Sequence, residues 1–551
     1  MAEENIVVER HADDLFKEFK EVSVTEFFRK NKAQLGFSGS VRSLTTVVHE
    51  LVTNSLDACE EAGILPDIEI EIKVLGDEHY SIHQKDNGPG IPFKHISSVF
   101  GKMLAGTKFH RNVQLRGQQG IGVAGVTLFS QMTTGKPIRI KTSTGKKVYE
   151  LKLMMDVTKN MADIIETKEY DENWRGTDIL CELKSVSFNL GEKGPLEYIR
   201  RTAIANPHAK ITVKDPEGRK TVFERVSKKI PSLPTEMKPH PKGVDVDELL
   251  KRAKSTSARR TNSFLSTEFS RTSTAKAKEI QSLVSFDLNK NPRKLSWAEA
   301  EEIISAFKKI DFMAPPTEGL SPIGEEQIRK AVLSILKPEF EVVLTRNPTT
   351  HSSGLAFQVE VAVAYGGGAG RQVSDGTRVE IMRFANRVPL LFDAGGCAIT
   401  QAVNSVDWKR YDVKDFENTP ISIFVNVVST HIPYISTGKQ SIASEDEIVK
   451  EIRMALMDTG RKFERYHSSR RRAIEREARL HTLLKYCAEL APAIAKITGS
   501  KEQKIAKSLE KIIRKKVKVD AVIAAAEEEA VKDEEEAVKD TTFAEGEENE
   551  G

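Results

Sequence analysis

Residues 44–60 place Leu44, Val47, Val48, Leu51, Val52, Leu56 and Cys59 at helical spacing, covering one broad apolar face. The pattern predicts a helix whose other face carries Glu50, Asn54 and Asp57. The period then shortens to two. Ile68, Ile70, Ile72 and Val74 alternate with Glu69, Glu71 and Lys73, which predicts a strand, and residues 80–84 read as its hairpin partner. Runs at 340–345, 357–365, 379–384 and 421–428 are rich in β-forming residues and predict a further sheet. Helical spacing returns at 246–250 and 297–304, where Ser296 is the expected N-cap and Glu299 completes a capping box. Residues 444–515 read as long charged helices, and their stripe of Leu480, Leu483, Leu484, Leu490 and Ile494 needs a surface to bury against.

Prolines punctuate this pattern. Pro231, Pro234, Pro239 and Pro241 mark a linker, and Pro315-Pro316 open another unit. The expected organisation is an α+β multidomain chain: a mixed sheet covered by helices over 1–228, a helical insert over 229–312, an α/β unit over 313–443, helices over 444–515 and a tail over 516–551.

Charge changes the picture at the tail. Residues 521–551 hold 12 Asp or Glu against 2 Lys, so the formal net charge of +3 hides about +13 on the rest of the 551-residue chain. The tail is expected to be disordered or transiently helical, and a basic body can engage DNA phosphates. No membrane-length apolar run or secretory segment is seen in the sequence, so no membrane partner is expected. Cys59, Cys181, Cys397 and Cys487 are too scattered for a zinc site or a disulfide framework, and read as buried thiols in a reducing cytoplasm.

Candidate chemistry concentrates in three motifs. In Glu50-x-x-x-Asn54-x-x-Asp57, one helical turn separates a carboxylate that could activate water from a carboxamide oxygen that could hold Mg²⁺. Asp86-Asn87-Gly88-Pro89-Gly90-Ile91 ends a predicted strand; it is either a plain tight turn or a site where Asp86 accepts a hydrogen bond from an adenine amino group while Gly88 and Gly90 admit the ring. Gly117-Gln118-Gln119-Gly120-Ile121-Gly122 has neither the dinucleotide nor the P-loop spacing, yet precedes a helix whose N-terminal amides could face phosphates.

Together with Gly106-Thr107-Lys108 and Gly176-Thr177, these motifs resemble the GHKL ATPases, the superfamily of gyrase B-type subunits, the ninety-kilodalton heat-shock chaperone, MutL proteins and histidine kinases. The resemblance implies a Bergerat-type α/β sandwich with Glu50 as general base, Asn54 as Mg²⁺ ligand and Asp86 as adenine reader. Asp57, Gly88, Gly90, Thr107, Lys108, Arg116, Gly117, Gln118, Gln119, Gly120, Ile121, Gly122, Val123 and Thr177 would complete the ATP pocket.

Residues 23–31 with Leu35-Gly36-Phe37, the segment Asn386-Arg387-Val388-Pro389-Leu390-Leu391-Phe392, and the loop 433–440 resemble the B subunits of archaeal type IIB DNA topoisomerases. That resemblance implies an N-terminal dimerisation segment, a helix-two-turn-helix insert, a transducer domain, and Lys439 as a second catalytic group that reaches the ATP γ-phosphate. It also implies an A₂B₂ heterotetramer in which a separate A subunit cleaves double-stranded DNA, a second B subunit joins on ATP binding, and the enzyme sits in the cytoplasm at the nucleoid. Lys251, Arg252, Lys254, Arg259, Arg260, Arg271, Lys276 and Lys278 could touch phosphates or form a solvated surface. Trp408-Lys409-Arg410-Tyr411 either meets DNA or forms a local stacking cluster. The alternative is a GHKL chaperone or clamp that hydrolyses ATP without passing DNA.

Overall fold

The computed structural model describes residues 23–106, 113–114, 116–117, 120–351 and 354–516. Residues 1–22 at the N-terminus, the tail from 517, and Thr107, Lys108, Gln118 and Gln119 lie outside the described residues.

Eight strands build the first sheet: β1 (Asp67–Gly76), β2 (His79–Asp86), β3 (Ile138–Thr144), β4 (Lys147–Asp156), β5 (Met161–Asp171), β6 (Arg175–Lys184), β7 (Lys210–Lys214) and β8 (Lys220–Phe223). Their order is β5-β4-β3-β6-β2-β1-β7-β8, with β1 and β7 parallel. The alternating run at 68–74 forms the expected hairpin, and Asp86 pairs with Ile68 on one side and Thr177 on the other. Helix Ser40–Glu61 packs Leu44, Val48, Leu51 and Leu56 into one core with Ile70, Ile82, Ile140, Leu183 and Tyr198. Each such buried side chain contributes about 1.5–3 kcal/mol, and together they fix the helix's rotation, and so where Glu50 and Asn54 point.

The second sheet contains β9 (Phe340–Thr345), β10 (Thr349–Thr350), β11 (Ala356–Tyr365), β14 (Glu380–Ala385), β15 (Val388–Pro389) and β16 (Ile421–Ser429); β12 (Arg371–Val373) and β13 (Gly376–Arg378) make a separate hairpin. All four predicted runs are strands. β11 and β16 are buried along nearly their whole length, including the polar Glu360 and Asn426.

In chain order the helical insert falls between β8 and β9. Helices Val246–Ser255 and Trp297–Lys309 fall where the periodicity placed them, and Ser296 and Glu299 form the expected capping box. Thr261–Glu268 and Thr274–Gln281 were not legible. Each has eight residues, too short to be stable alone, and each is held by Phe264, Leu265 and Ile280 in the insert's core.

The chain divides into two compact units, residues 1–462 and 463–551. Both sheets and the insert belong to the first. Helix Asp446–Thr498 runs across the division and contains Pro492. Of its expected apolar stripe, Leu480, Leu483, Leu484 and Ile494 are half-buried and Leu490 is exposed, while Cys487 and Ala491 are buried. All four cysteines are free and buried. Burial pushes the Cys59 and Cys181 thiols up to about 12, so neither is a thiolate at neutral pH. Among the described residues no helix is long and apolar enough to cross a membrane.

Candidate nucleotide site

A cavity of about 300 Å³ opens beside helix Ser40–Glu61 and is lined by Glu50, Asn54, Asp57, Arg116 and Gly117, by Gly120 to Val123, and by Lys439. Glu50 is half-buried and Asn54 exposed to the cavity. Helix Gly122–Thr134 starts at its wall, and the N-cap Ile121 supplies no side-chain cap. Its first amides therefore need an acceptor, and the positive end of the helix dipole faces the cavity. Gly122 allows a close approach: a Cβ there would lie 2.1 Å from Glu50 Oε2. Uncapped amides, an ammonium group and a carboxamide oxygen on one concave surface fit a nucleotide's phosphates and a divalent cation.

His49 borders the carboxylate, with Nε2 3.9 Å from Glu50 Oε1. Burial lowers its pKa; Glu50 works against that shift and Lys439 adds to it. The imidazole is neutral at pH 7. Arg42 and Thr46 also line the cavity. Continuing the four-residue stripe of Glu50 and Asn54 toward the N-terminus would have found both.

Lys439 belongs to a closed loop. Tyr434 and Ile442 form a bridge, Ile435 N–H donates to the Ser441 carbonyl at 3.0 Å, and Lys439 N–H donates to the Ser436 carbonyl at 3.0 Å. Lys439 has φ 50°, a left-handed conformation that costs a non-glycine residue about 1 kcal/mol or more. Its neighbours hold it there. Gln440 Oε1 accepts the N–H groups of Leu391 and Phe392 at 3.1 and 3.3 Å, and Thr437 donates its hydroxyl to the Gln34 carbonyl at 2.7 Å.

The second motif is placed differently. Asp86 is not among the residues lining the cavity. Its Oδ1 accepts Gly88 N–H at 3.0 Å and Thr177 N–H at 3.1 Å, while Oδ2 accepts Ser55 Oγ–H at 2.6 Å and Gln84 Nε2–H at 3.3 Å. Burial raises its pKa and these donors oppose the shift. Gly90 has a local reason in the fold: at φ 74°, a Cβ would lie 1.9 Å from the Ser143 carbonyl oxygen, so the glycine lets the turn meet β3. Gly88 abuts Asp86 Oδ1, at 3.0 Å from a built Cβ.

Arg116 corrects an expectation. It borders the cavity, but its guanidinium is committed to Asp57 at 2.6 Å, to Glu60 at 2.6 and 3.0 Å, and to Asn206 at 2.6 Å, all buried. Asp57, expected on the polar helix face, turns into the same cluster. A buried guanidinium keeps its charge only by such pairing, and that demand fixes its direction.

Trp408 and Tyr411 are a second correction. Both rings are buried; Trp408 stacks on Phe416 at 5.0 Å and donates Nε1–H to the Val403 carbonyl, so the local cluster is what forms. Lys409 and Arg410 remain exposed. In the insert Arg259 and Arg260 are exposed, whereas Lys251 pairs with Asp247, Arg252 with Glu248 and Lys276 with Glu279.

Residues 39–157 match the family described as histidine kinase-, DNA gyrase B-, and HSP90-like ATPase, and residues 315–479 match topoisomerase VI B subunit, transducer. The B subunit of type 2 DNA topoisomerase 6 from Methanothermobacter thermautotrophicus is 51% identical, over 92% of this chain and 98% of that protein. Its counterpart of the same name in Pyrococcus horikoshii is 48% identical, over 94% of this chain and 99% of that protein. The chain belongs to the topoisomerase VI B-subunit family. It is the ATPase subunit of a type IIB topoisomerase, and its ATPase domain implies ATP binding. Among solved structures, the ATPase region of Saccharomyces cerevisiae topoisomerase II is 12% identical with a TM-score of 0.38, over 82% of this chain and 99% of that chain.

Proposed function

We propose that this protein is an ATP-operated gate for DNA: two copies close on each other when ATP binds, trap a double-stranded segment, and reopen after hydrolysis. A separate A subunit cleaves the second duplex, giving strand passage for relaxation and decatenation by an A₂B₂ assembly. The supporting observation is that Glu50, on the helix packed against the first sheet, and Lys439, in the loop that follows β16 of the second, line one cavity with the start of helix Gly122–Thr134.

Within that reading, Glu50 accepts the proton of the attacking water, and its half-buried position against Gly122 holds the carboxylate in one direction. Asn54 offers its side-chain oxygen to Mg²⁺, which when bound supplies positive charge beside the phosphates. Amides of Gly122 and Val123 orient the phosphate chain, and Lys439 meets its terminal group. Contact with the terminal phosphate exists for ATP and not for ADP. Lys439 thereby reports the nucleotide state to the second sheet, which acts as the transducer. Adenine would be read by Asp86 and Thr177, which lie beyond the cavity's lining. Exposed Arg259, Arg260, Lys409 and Arg410 offer phosphate contacts, and the exposed pair of Lys251 is weak enough to exchange for DNA, with the half-buried Arg252 beside it. The assembly works in the cytoplasm, at the nucleoid.

The deciding experiment measures ATP turnover and supercoil relaxation by the protein reconstituted with its A subunit. DNA-stimulated turnover with relaxation is expected. Turnover indifferent to DNA, with no relaxation, would replace the gate by a clamp or chaperone that uses the same ATPase.

A further inference from the structure

Glu60 lies at the end of the helix that carries Glu50 and Asn54, and its buried carboxylate joins three parts of the fold. It accepts two hydrogen bonds from Arg116, which precedes the glycine loop, at 2.6 and 3.0 Å. His208 Nε2 lies 2.8 Å away. Arg387 Nη2, from the turn between β14 and β15 of the second sheet, approaches Glu60 Oε2 to 3.4 Å. Burial by itself would raise the Glu60 pKa, yet Arg116, Arg387 and His208 pull it well below the ordinary carboxylate value, so it is ionised.

The contacts continue past Arg387. Its N–H donates to Asn426 Oδ1 at 3.1 Å, and Asn426 Nδ2 donates to Glu360 Oε2 at 2.8 Å. Glu360 in turn accepts the N–H groups of Ile323 and Gly324 at 3.1 and 2.7 Å, at the entrance to helix Glu325–Ile335. An unbroken polar line therefore runs from the glycine loop through Glu60 to the interior of the second sheet. Apolar residues of equal volume would commonly stabilise such an interior as well or better, so stability alone gives the line no reason to exist. It is also incompletely satisfied: Arg387 Nε and Nη1 are buried and have no hydrogen-bond partner among the described residues. A buried guanidinium tied to the ATPase half mainly through one ion pair is sensitive to small displacements of Glu60.

We propose that Glu60 and Arg387 are positioning residues that carry the state of the glycine loop, through Arg116, to the second sheet, by a route separate from Lys439. A shift of Arg116 redistributes the Glu60 carboxylate between Arg116 and Arg387. The inference rests on the reading of the chain as an ATP-operated gate.

The test uses the full-length protein reconstituted with its A subunit and the variant Arg387→Gln. Removing Arg387 leaves Glu60 paired with Arg116 and His208, so the ATPase half keeps its fold. ATP affinity and DNA-free turnover are expected to stay within about twofold of wild type, while strand passages per ATP hydrolysed fall about tenfold or more, the range of a lost coupling interaction. If that variant does not fold, Arg387→Lys carries the test. A point-like ammonium cannot reproduce the guanidinium's reach, and passages per ATP are expected to fall about threefold with turnover unchanged. Undiminished passages per ATP in the folded variant overturn the proposal. So does a parallel loss of turnover and passage in proportion to lowered thermal stability, the outcome of a merely structural role. Wild-type protein that fails to relax DNA with the A subunit rejects the gate reading itself, a different failure from a normally coupled variant.

Discussion

Arg42 and Asp393 meet in a bidentate ion pair, at 3.0 and 2.9 Å, that ties the helix of Glu50 to the second sheet. The Arg42 guanidinium also lies over the Phe392 ring, 4.9 Å from its centroid, and Phe392 N–H is one of the two amides held by Gln440. Two links thus connect helix Ser40–Glu61, residues 391–393 and the loop of Lys439, and they differ in burial. Asp393 is 45% exposed at its side chain, whereas Gln440, Leu391 and Phe392 are all buried.

Gln440→Ala strands two buried amides and should cost about 1–3 kcal/mol of stability, while Asp393→Ala should cost under about 1 kcal/mol. Chemical denaturation of both variants measures the contrast. Equal small losses would show that Gln440 does not anchor the loop.

Glu50→Ala should still bind ATP and dimerise yet lose hydrolysis by about 10²-fold or more, because the phosphate-facing amides and Lys439 remain. Single-turnover kinetics with a separate binding titration make the distinction. Near-normal turnover would move the general base elsewhere.

Lys439→Ala should bind ADP normally, hydrolyse ATP slowly and fail at supercoil relaxation with a wild-type A subunit. A lysine that is only a surface group predicts almost no change. Relaxation at the wild-type rate would sink the assignment of Lys439 as a switch.

His49 offers a readout of the charges around it without any reaction. Its titration midpoint, followed by NMR, should lie below the ordinary histidine value of 6.5 because burial disfavours the imidazolium. Lys439→Ala should raise that midpoint and Glu50→Ala should lower it further, since the ammonium opposes the protonated ring and the carboxylate supports it. Movement of either in the opposite sense would contradict the arrangement of the three groups.

Asp86→Asn should lower both ATP affinity and the stability of the nucleotide-free protein. The amide oxygen can serve the Gly88 and Thr177 N–H groups, so Ser55 and Gln84 must reorient to accept from the amide nitrogen, at a cost of about 1–3 kcal/mol. Thermal denaturation without nucleotide, beside calorimetric titration of ATP, checks both. Unchanged affinity with reduced stability would leave Asp86 a purely structural residue.

Periodicity determined the local elements, because an amphipathic helix or an alternating strand declares itself within a few residues. The hairpin ending at Asp86, the helix of Glu50 and Asn54, the helix after the glycine loop and the capping box at Ser296 were all legible for that reason. The short helices Thr261–Glu268 and Thr274–Gln281 were not, since their stability comes from a shared core rather than from their own residues. A charged side chain's direction is likewise no property of its neighbours in sequence. Arg116 could equally have faced phosphates, and only the nearby carboxylates of Asp57 and Glu60 in the folded chain turn it inward. Trp408 and Tyr411 were legible as an aromatic and cationic cluster, but their burial depends on Phe416 and on the approach of Gly460 to the Tyr411 ring. Lys439 was singled out by its motif. Its place beside Glu50 was decided by tertiary packing, through Arg42, Asp393 and Gln440, because these contacts join residues far apart in the chain that no local pattern relates.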